Sequence, residues 1–355
     1  MSTRLNTVLA LAALYGLATC AGWVFSNLGV PLPWMIGPLV LSATAYISGV
    51  ITVKVPVKTR PFGQMTIAAQ VGLAFTPAAL TALLALAPLL IGAALITAVI
   101  ASIVAVLTAR MGNMRLAQSF LATFPTSPVE AAVMAEKLNI DSGPIVLSQT
   151  MRIAAVVILV PLSIYSVDGW PDRSGLIRGG SFDLIGNGFL ALLAISGAIL
   201  FKKLRLSNPY FLGPLAFSAA AAATGLEPTA FPPLILSAAQ IVLGTWLGSV
   251  FRRELLLKGG RLVVTSAIST LLLLGIVSAV GVGLAALFDL DWEILVLGVA
   301  PGGVTEMALT AKFLGVDLAL VTAFQLTRIF IFMPNIPWVI AAIDRYEKRS
   351  ARDAT

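Results

Sequence analysis

Pro301-Gly302-Gly303-Val304-Thr305-Glu306 is the stretch on which the fold turns. It places helix breakers and an acid inside a long apolar region, and Asp317, Gln325 and Arg328 follow it. Upstream, Pro125-Thr126-Ser127-Pro128-Val129-Glu130 is followed in the same way by Asp141, Gln149 and Arg152. The prolines at 125 and 301, the glutamates, the aspartates, the glutamines and the arginines are all 176 residues apart. A constant offset without a gap means an internal duplication. The same offset joins Pro33-Trp34-Met35-Ile36-Gly37-Pro38 to Pro209-Tyr210-Phe211-Leu212-Gly213-Pro214.

Around these motifs the chain is strongly apolar. Its 355 residues are 58% hydrophobic and 11% charged, with a mean hydropathy of +0.97. A soluble domain carries about 25% charged residues. Apolar runs near the roughly 20 residues that cross a bilayer fill most of the length. The fold class is therefore all-α, a polytopic membrane protein. A single cysteine, Cys20, excludes a disulfide framework within the chain. There is no histidine, which argues against a copper or non-haem iron redox enzyme and against a Ser-His-Asp hydrolase. The expectation is a chain that is not an enzyme, with no catalytic residues, no metal and no cofactor. The net charge of +7 fits basic loops that orient spans better than it fits nucleic acid. The polar interval 168–183 is too short for a DNA-reading domain.

The repeats divide the chain into halves, 1–176 and 177–355. The apolar run 1–28 reads as a retained span, because a matching run, 185–201, opens the second half. The third spans hold Gln64 and Gln240, followed by apolar spans 84–108 and 262–287. Last spans follow the breaker motifs at 144–166 and 318–343, and the polar tail 344–355 reads as frayed. If each breaker motif enters the membrane and returns, each half has about five crossings. An odd number turns the second half upside down. Loop charge agrees: Lys54, Lys58 and Arg60 have an uncharged equivalent in 230–236, whereas basic 252–261 has one in 76–85. Loops assigned outside carry only Arg173 and Arg178. The reading is two inverted repeats, each with a broken or re-entrant helix, and both termini cytoplasmic.

Each breaker motif then carries candidate chemistry. Gly302 and Gly303 let backbone approach a ligand closely, and Thr126, Ser127 and Thr305 offer hydroxyls. Glu130 and Glu306 are candidate proton or sodium carriers, since an intramembrane acid is costly unless paired or functional. Arg152 and Arg328 would pair with them or clamp a substrate carboxylate. Gln149 and Gln325 are either pathway groups or glue between helices. A structural alternative stands beside this. Ser127-Pro128-Val129-Glu130 is also a capping box, and Asp141 and Asp317 sit where helices restart and would N-cap them. Pro125, Pro128 and Pro301 break helices. Gly37-Pro38 and Gly213-Pro214 kink spans and allow close packing, or line a pathway.

Pro-Gly-Gly-x-x-Glu-Met at 301–307, Asp317, Gln325-x-x-Arg328 and the paired Gly-Pro segments resemble the bacterial membrane AbrB-type duplication family. Its members are often labelled ammonia monooxygenase or AbrB regulator. More remotely the chain is similar to the cation/proton antiporter and anion transporter superfamily. The resemblance covers nearly the whole chain and implies a multi-pass protein of the bacterial inner membrane, with a tie to gene regulation. The first copy departs from the pattern, with Thr126-Ser127-Pro128 in place of Gly302-Gly303-Val304. The function expected from residues and resemblance together is a secondary, ion- or proton-coupled transporter of a small anionic solute. The alternative is a membrane-embedded regulator or sensor that affects expression indirectly. The expected partners are the lipid bilayer, the solute with H+ or Na+, and a second copy in a homodimer, with no nucleic acid.

Overall fold

A computed structural model describes residues 2–126, 128–169, 182–206, 208–226 and 228–353. Among the described residues every regular element is a helix and none is a strand. The first half contains α1 (Ser2–Asn27), α2 (Pro33–Ile47), α3 (Arg60–Gly72), α4 (Pro77–Ala85), α5 (Ala87–Gly112), α6 (Leu116–Thr123), α7 (Pro128–Lys137) and α8 (Ser142–Asp168). The second contains α9 (Leu184–Lys203), α10 (Pro209–Ala223), α11 (Pro233–Gly248), α12 (Arg253–Phe288), α13 (Trp292–Val299), α14 (Val304–Leu314) and α15 (Leu318–Asp353). The 176-residue offset carries over from motifs to helix starts: Pro33 to Pro209, Leu116 to Trp292, Pro128 to Val304 and Ser142 to Leu318.

Among the described residues, six helices are long and apolar enough to cross a membrane: Asn6–Asn27, Ala87–Gly112, Ser142–Val167, Leu184–Lys203, Val263–Phe288 and Leu318–Glu347. Exposed Val8, Leu9, Leu95 and Val99 give α1 and α5 the apolar outer surface that lipid requires. Two details differ from the sequence reading. The expected third span of the first half is a bent pair, Val57–Gly72 and Pro77–Ala85, at 86°. Pro77 opens the second piece, with the Thr76 hydroxyl accepting from Ala79 N–H at its cap. The spans 33–47, 209–223 and 233–248 are shorter apolar helices.

The chain forms two compact units, and each draws on both halves. One comprises residues 1–86, 161–252 and 305–322. Here α2 packs on α11 and α3 on α10, so helices of opposite halves pair, while α1 lies on α2 and α9 on α10. The Gly-Pro motifs set the spacing of these last two pairs. A Cβ on Gly37 would lie 2.7 Å from the Ala21 carbonyl oxygen, and one on Gly213 would lie 2.3 Å from that of Gly197. Backbone cannot yield as a side-chain tip can. Gly213→Val should therefore force α9 and α10 apart and cost about 1–3 kcal/mol or more. Thermal unfolding in detergent checks this, and an unchanged midpoint would refute the close-packing role.

The other unit comprises residues 87–160, 253–304 and 323–355. In it α5 packs on α6 and α12, and α12 on α13. The frayed tail expected over 344–355 is corrected here, since α15 remains helical to Asp353. Its charges have distant partners. Arg115 Nη2 meets Asp344 Oδ1 at 2.6 Å, and the Glu347 carboxylate accepts from Leu116 N–H at the start of α6. A carboxylate satisfies the orphan donors of a helix start and complements its dipole. Glu347→Ala should lower stability by about 1 kcal/mol, measured as a shift in melting midpoint. An unchanged midpoint in Glu347→Gln would show that shape rather than charge matters.

Candidate functional site

Both helices that enter a breaker motif stop short. α6 ends where Phe124 turns extended (φ −66°, ψ 133°), and α13 where Ala300 does the same (φ −50°, ψ 134°). The final carbonyls of a helix have no partner within it. In an apolar interior they need donors from elsewhere.

Gln149, Arg152, Gln325 and Arg328 supply them, and all four are buried. Gln149 Nε2 donates to the carbonyls of Leu121 (2.6 Å) and Phe124 (2.9 Å) and to the Thr126 hydroxyl (3.3 Å). Arg152 Nη1 donates to Thr123 O (2.9 Å) and Phe124 O (3.3 Å), and its Nη2 to Gln149 Oε1. The second copy repeats the pattern. Gln325 Nε2 donates to Leu297 O (2.6 Å) and Ala300 O (3.1 Å). Arg328 Nη1 donates to Val299 O (3.4 Å) and Ala300 O, and its Nη2 to Gly302 O and Gln325 Oε1. The two breaks are also joined directly: Arg152 Nε donates to Pro301 O of the second breaker at 2.9 Å. Arg328 Nε, its counterpart, is buried without a hydrogen-bond partner among the described residues.

These contacts place the four side chains as holders of the two helix breaks. The sequence reading pairs the arginines with the motif acids. Among the described residues neither arginine forms an ion pair. Their charge instead faces helix C-termini, whose dipoles favour cations, and the two guanidiniums repel each other electrostatically. Among the described residues, the hydrogen-bond partners of these two buried positive charges are carbonyl and amide oxygens.

The acids lie in the helices that resume after each break. Glu130 is in the first turn of α7, behind Pro128, and is half-buried. It lines a cavity of about 340 Å³ together with Val133, Met134, Lys137, Leu138 and, from α15, Pro337, Ile340 and Ala341. Glu306 is in the first turn of α14, beside the buried hydroxyl-bearing Thr305. It interacts electrostatically with Arg60, whose guanidinium sits over the Trp246 ring at 4.3 Å. Sequence reasoning treats Arg60 only as a loop charge. Its single hint is the lack of a basic equivalent, since residue 236 is Leu236.

The remaining motif residues have plain places. Pro125, Pro301, Gly302 and Gly303 occupy the breaks between helices. Asp141 Oδ1 accepts from Gly143 N–H at 3.0 Å, and Asp317 Oδ1 from Leu320 N–H at 2.9 Å, each at the start of the helix that follows. Pro38 and Pro214 lie inside α2 and α10. Ser127 falls outside the described residues.

The family model described as Transition state regulatory protein AbrB matches residues 1–168 and again residues 145–344. The chain belongs to the AbrB family. The two matches to this AbrB-family chain overlap over 145–168. A regulator AbrB of Escherichia coli (strain K12) is 23% identical over 333 residues, covering 92% of this chain and 94% of that protein. YhjN of Bacillus subtilis (strain 168) is 24% identical over 351 residues, covering 90% of each. Similarity to both thus spans almost the full length of this AbrB-family protein.

Proposed function

We propose that the chain is a secondary, ion- or proton-coupled transporter of a small anionic solute in the bacterial inner membrane, rather than an enzyme. The observation that carries this reading is the Arg152–Pro301 bond, by which the interrupted helices of the two copies meet. Discontinuous helices brought together from repeats are the architecture in which transporters bind solute and coupling ion. Two buried guanidiniums with no ion pair among the described residues give this region a positive field, and Arg328 Nε, unpartnered among those residues, leaves one donor for an oxygen ligand. Glu306, near Arg60, is the coupling acid. In this reading the two copies are inverted with both termini in the cytoplasm, consistent with the loop charges, and a second copy forms a homodimer. The test is flux: protein in liposomes should move a solute or protons down an imposed gradient, and Glu306→Gln should stop it.

A second reading rests on the words attached to the family and to the E. coli relative, both named as regulators. It makes the protein a membrane-embedded sensor that alters expression indirectly. A deletion strain with changed transcription, alongside liposomes inert under every gradient tried, would favour it.

A further inference from the structure

The cavity beside α7 has a composition that specifies a ligand. Its wall on α7 is Glu130, Val133, Met134, Lys137 and Leu138, the spacing of a single helix face. The opposite wall is Pro337, Ile340 and Ala341. The lining therefore carries one cation and one acid, and everything between them is apolar. Lys137 is exposed, and Glu130 is half-buried two turns away, about 10 Å along the helix axis. A volume of about 340 Å³ falls in the range of small-molecule sites. The second copy does not repeat this arrangement, because Phe313 stands at the position equivalent to Lys137.

We infer that this cavity binds amphipathic monocarboxylates, with the carboxylate at Lys137 and the hydrocarbon body against Val133, Met134 and Ile340. The inference rests on the transport reading for its purpose and names the solute class. Lys137 provides the anion contact, as a point charge on a flexible stem. The apolar walls reward hydrocarbon and would leave hydroxyls or amides of a sugar or amino acid unpaired. Glu130 sets the limit at the far end. A second carboxylate reaching two turns along the helix would meet a like charge, so dicarboxylates of that length are rejected.

Equilibrium dialysis of purified full-length protein with radiolabelled hexanoate and adipate tests this, since the two differ only in the second carboxylate. Hexanoate should bind, and adipate at least about tenfold more weakly. Lys137→Met should weaken hexanoate about tenfold while Lys137→Arg retains it. Glu130→Gln should bring the hexanoate-to-adipate affinity ratio down from about tenfold to about one. Absent hexanoate binding, binding indifferent to Lys137→Met, or adipate still excluded by folded Glu130→Gln would each overturn the assignment. Melting midpoints establish that the variants are folded. If another solute crosses liposomes while hexanoate does not bind, the cavity assignment fails and transport stands. If hexanoate binds through Lys137 but nothing crosses, transport fails and the binding site stands.

Discussion

Arg152→Ala is expected to unfold or severely destabilise the protein, and Arg328→Ala to do nearly the same. Removing the Arg152 guanidinium leaves Thr123 O, Pro301 O and Gln149 Oε1 without these donors in a buried apolar setting. Each buried acceptor left without a partner costs about 1–3 kcal/mol, so for three the loss should be about 3–9 kcal/mol. Against a total of about 5–15 kcal/mol that is a large share. Lysine should rescue only in part, because one ammonium cannot reproduce the planar fork that reaches carbonyls of both breaks. The readouts are yield of monodisperse protein and melting midpoint in detergent. An Arg152→Ala protein melting within about 2 °C of the parent would show that the breaks are held by something else.

Glu306→Gln should separate function from fold. The substitution keeps shape and removes charge, and neutralising a half-buried carboxylate lowers the cost of desolvation. Stability should hold or rise, while gradient-driven flux falls to that of empty liposomes because the group can no longer gain and lose a proton. Arg60→Gln should weaken flux less, since it removes a neighbouring charge rather than the carrier. In the double variant the two losses should not add, as expected of groups that interact. Full flux in the Glu306→Gln protein would remove this residue from the mechanism.

Much of the fold was legible because its signals are local. Long apolar runs set the spans, Pro and Gly set the breaks, and an aspartate before each last helix marks its start. The constant offset of 176 residues aligns the motifs of the two copies from sequence alone. What stayed hidden depends on distant partners. The acceptors of Arg152 and Arg328 are backbone carbonyls, and a carbonyl has no residue type to recognise. The partners of Asp344 and Glu347 in α15 are Arg115 and the Leu116 N–H, which lie in the other half of the chain. Arg60 looked like an orienting loop charge because neither Trp246 nor Glu306 is near it in sequence.

The way each compact unit borrows from both copies has a bearing on synthesis. A ribosome that has released only the first copy has made neither unit in full, so final packing waits for translation of the C-terminal helices. A gene cut within 170–181 should yield two polypeptides that are each degraded when expressed alone. Produced together in one cell, they should assemble into a stable, flux-competent pair.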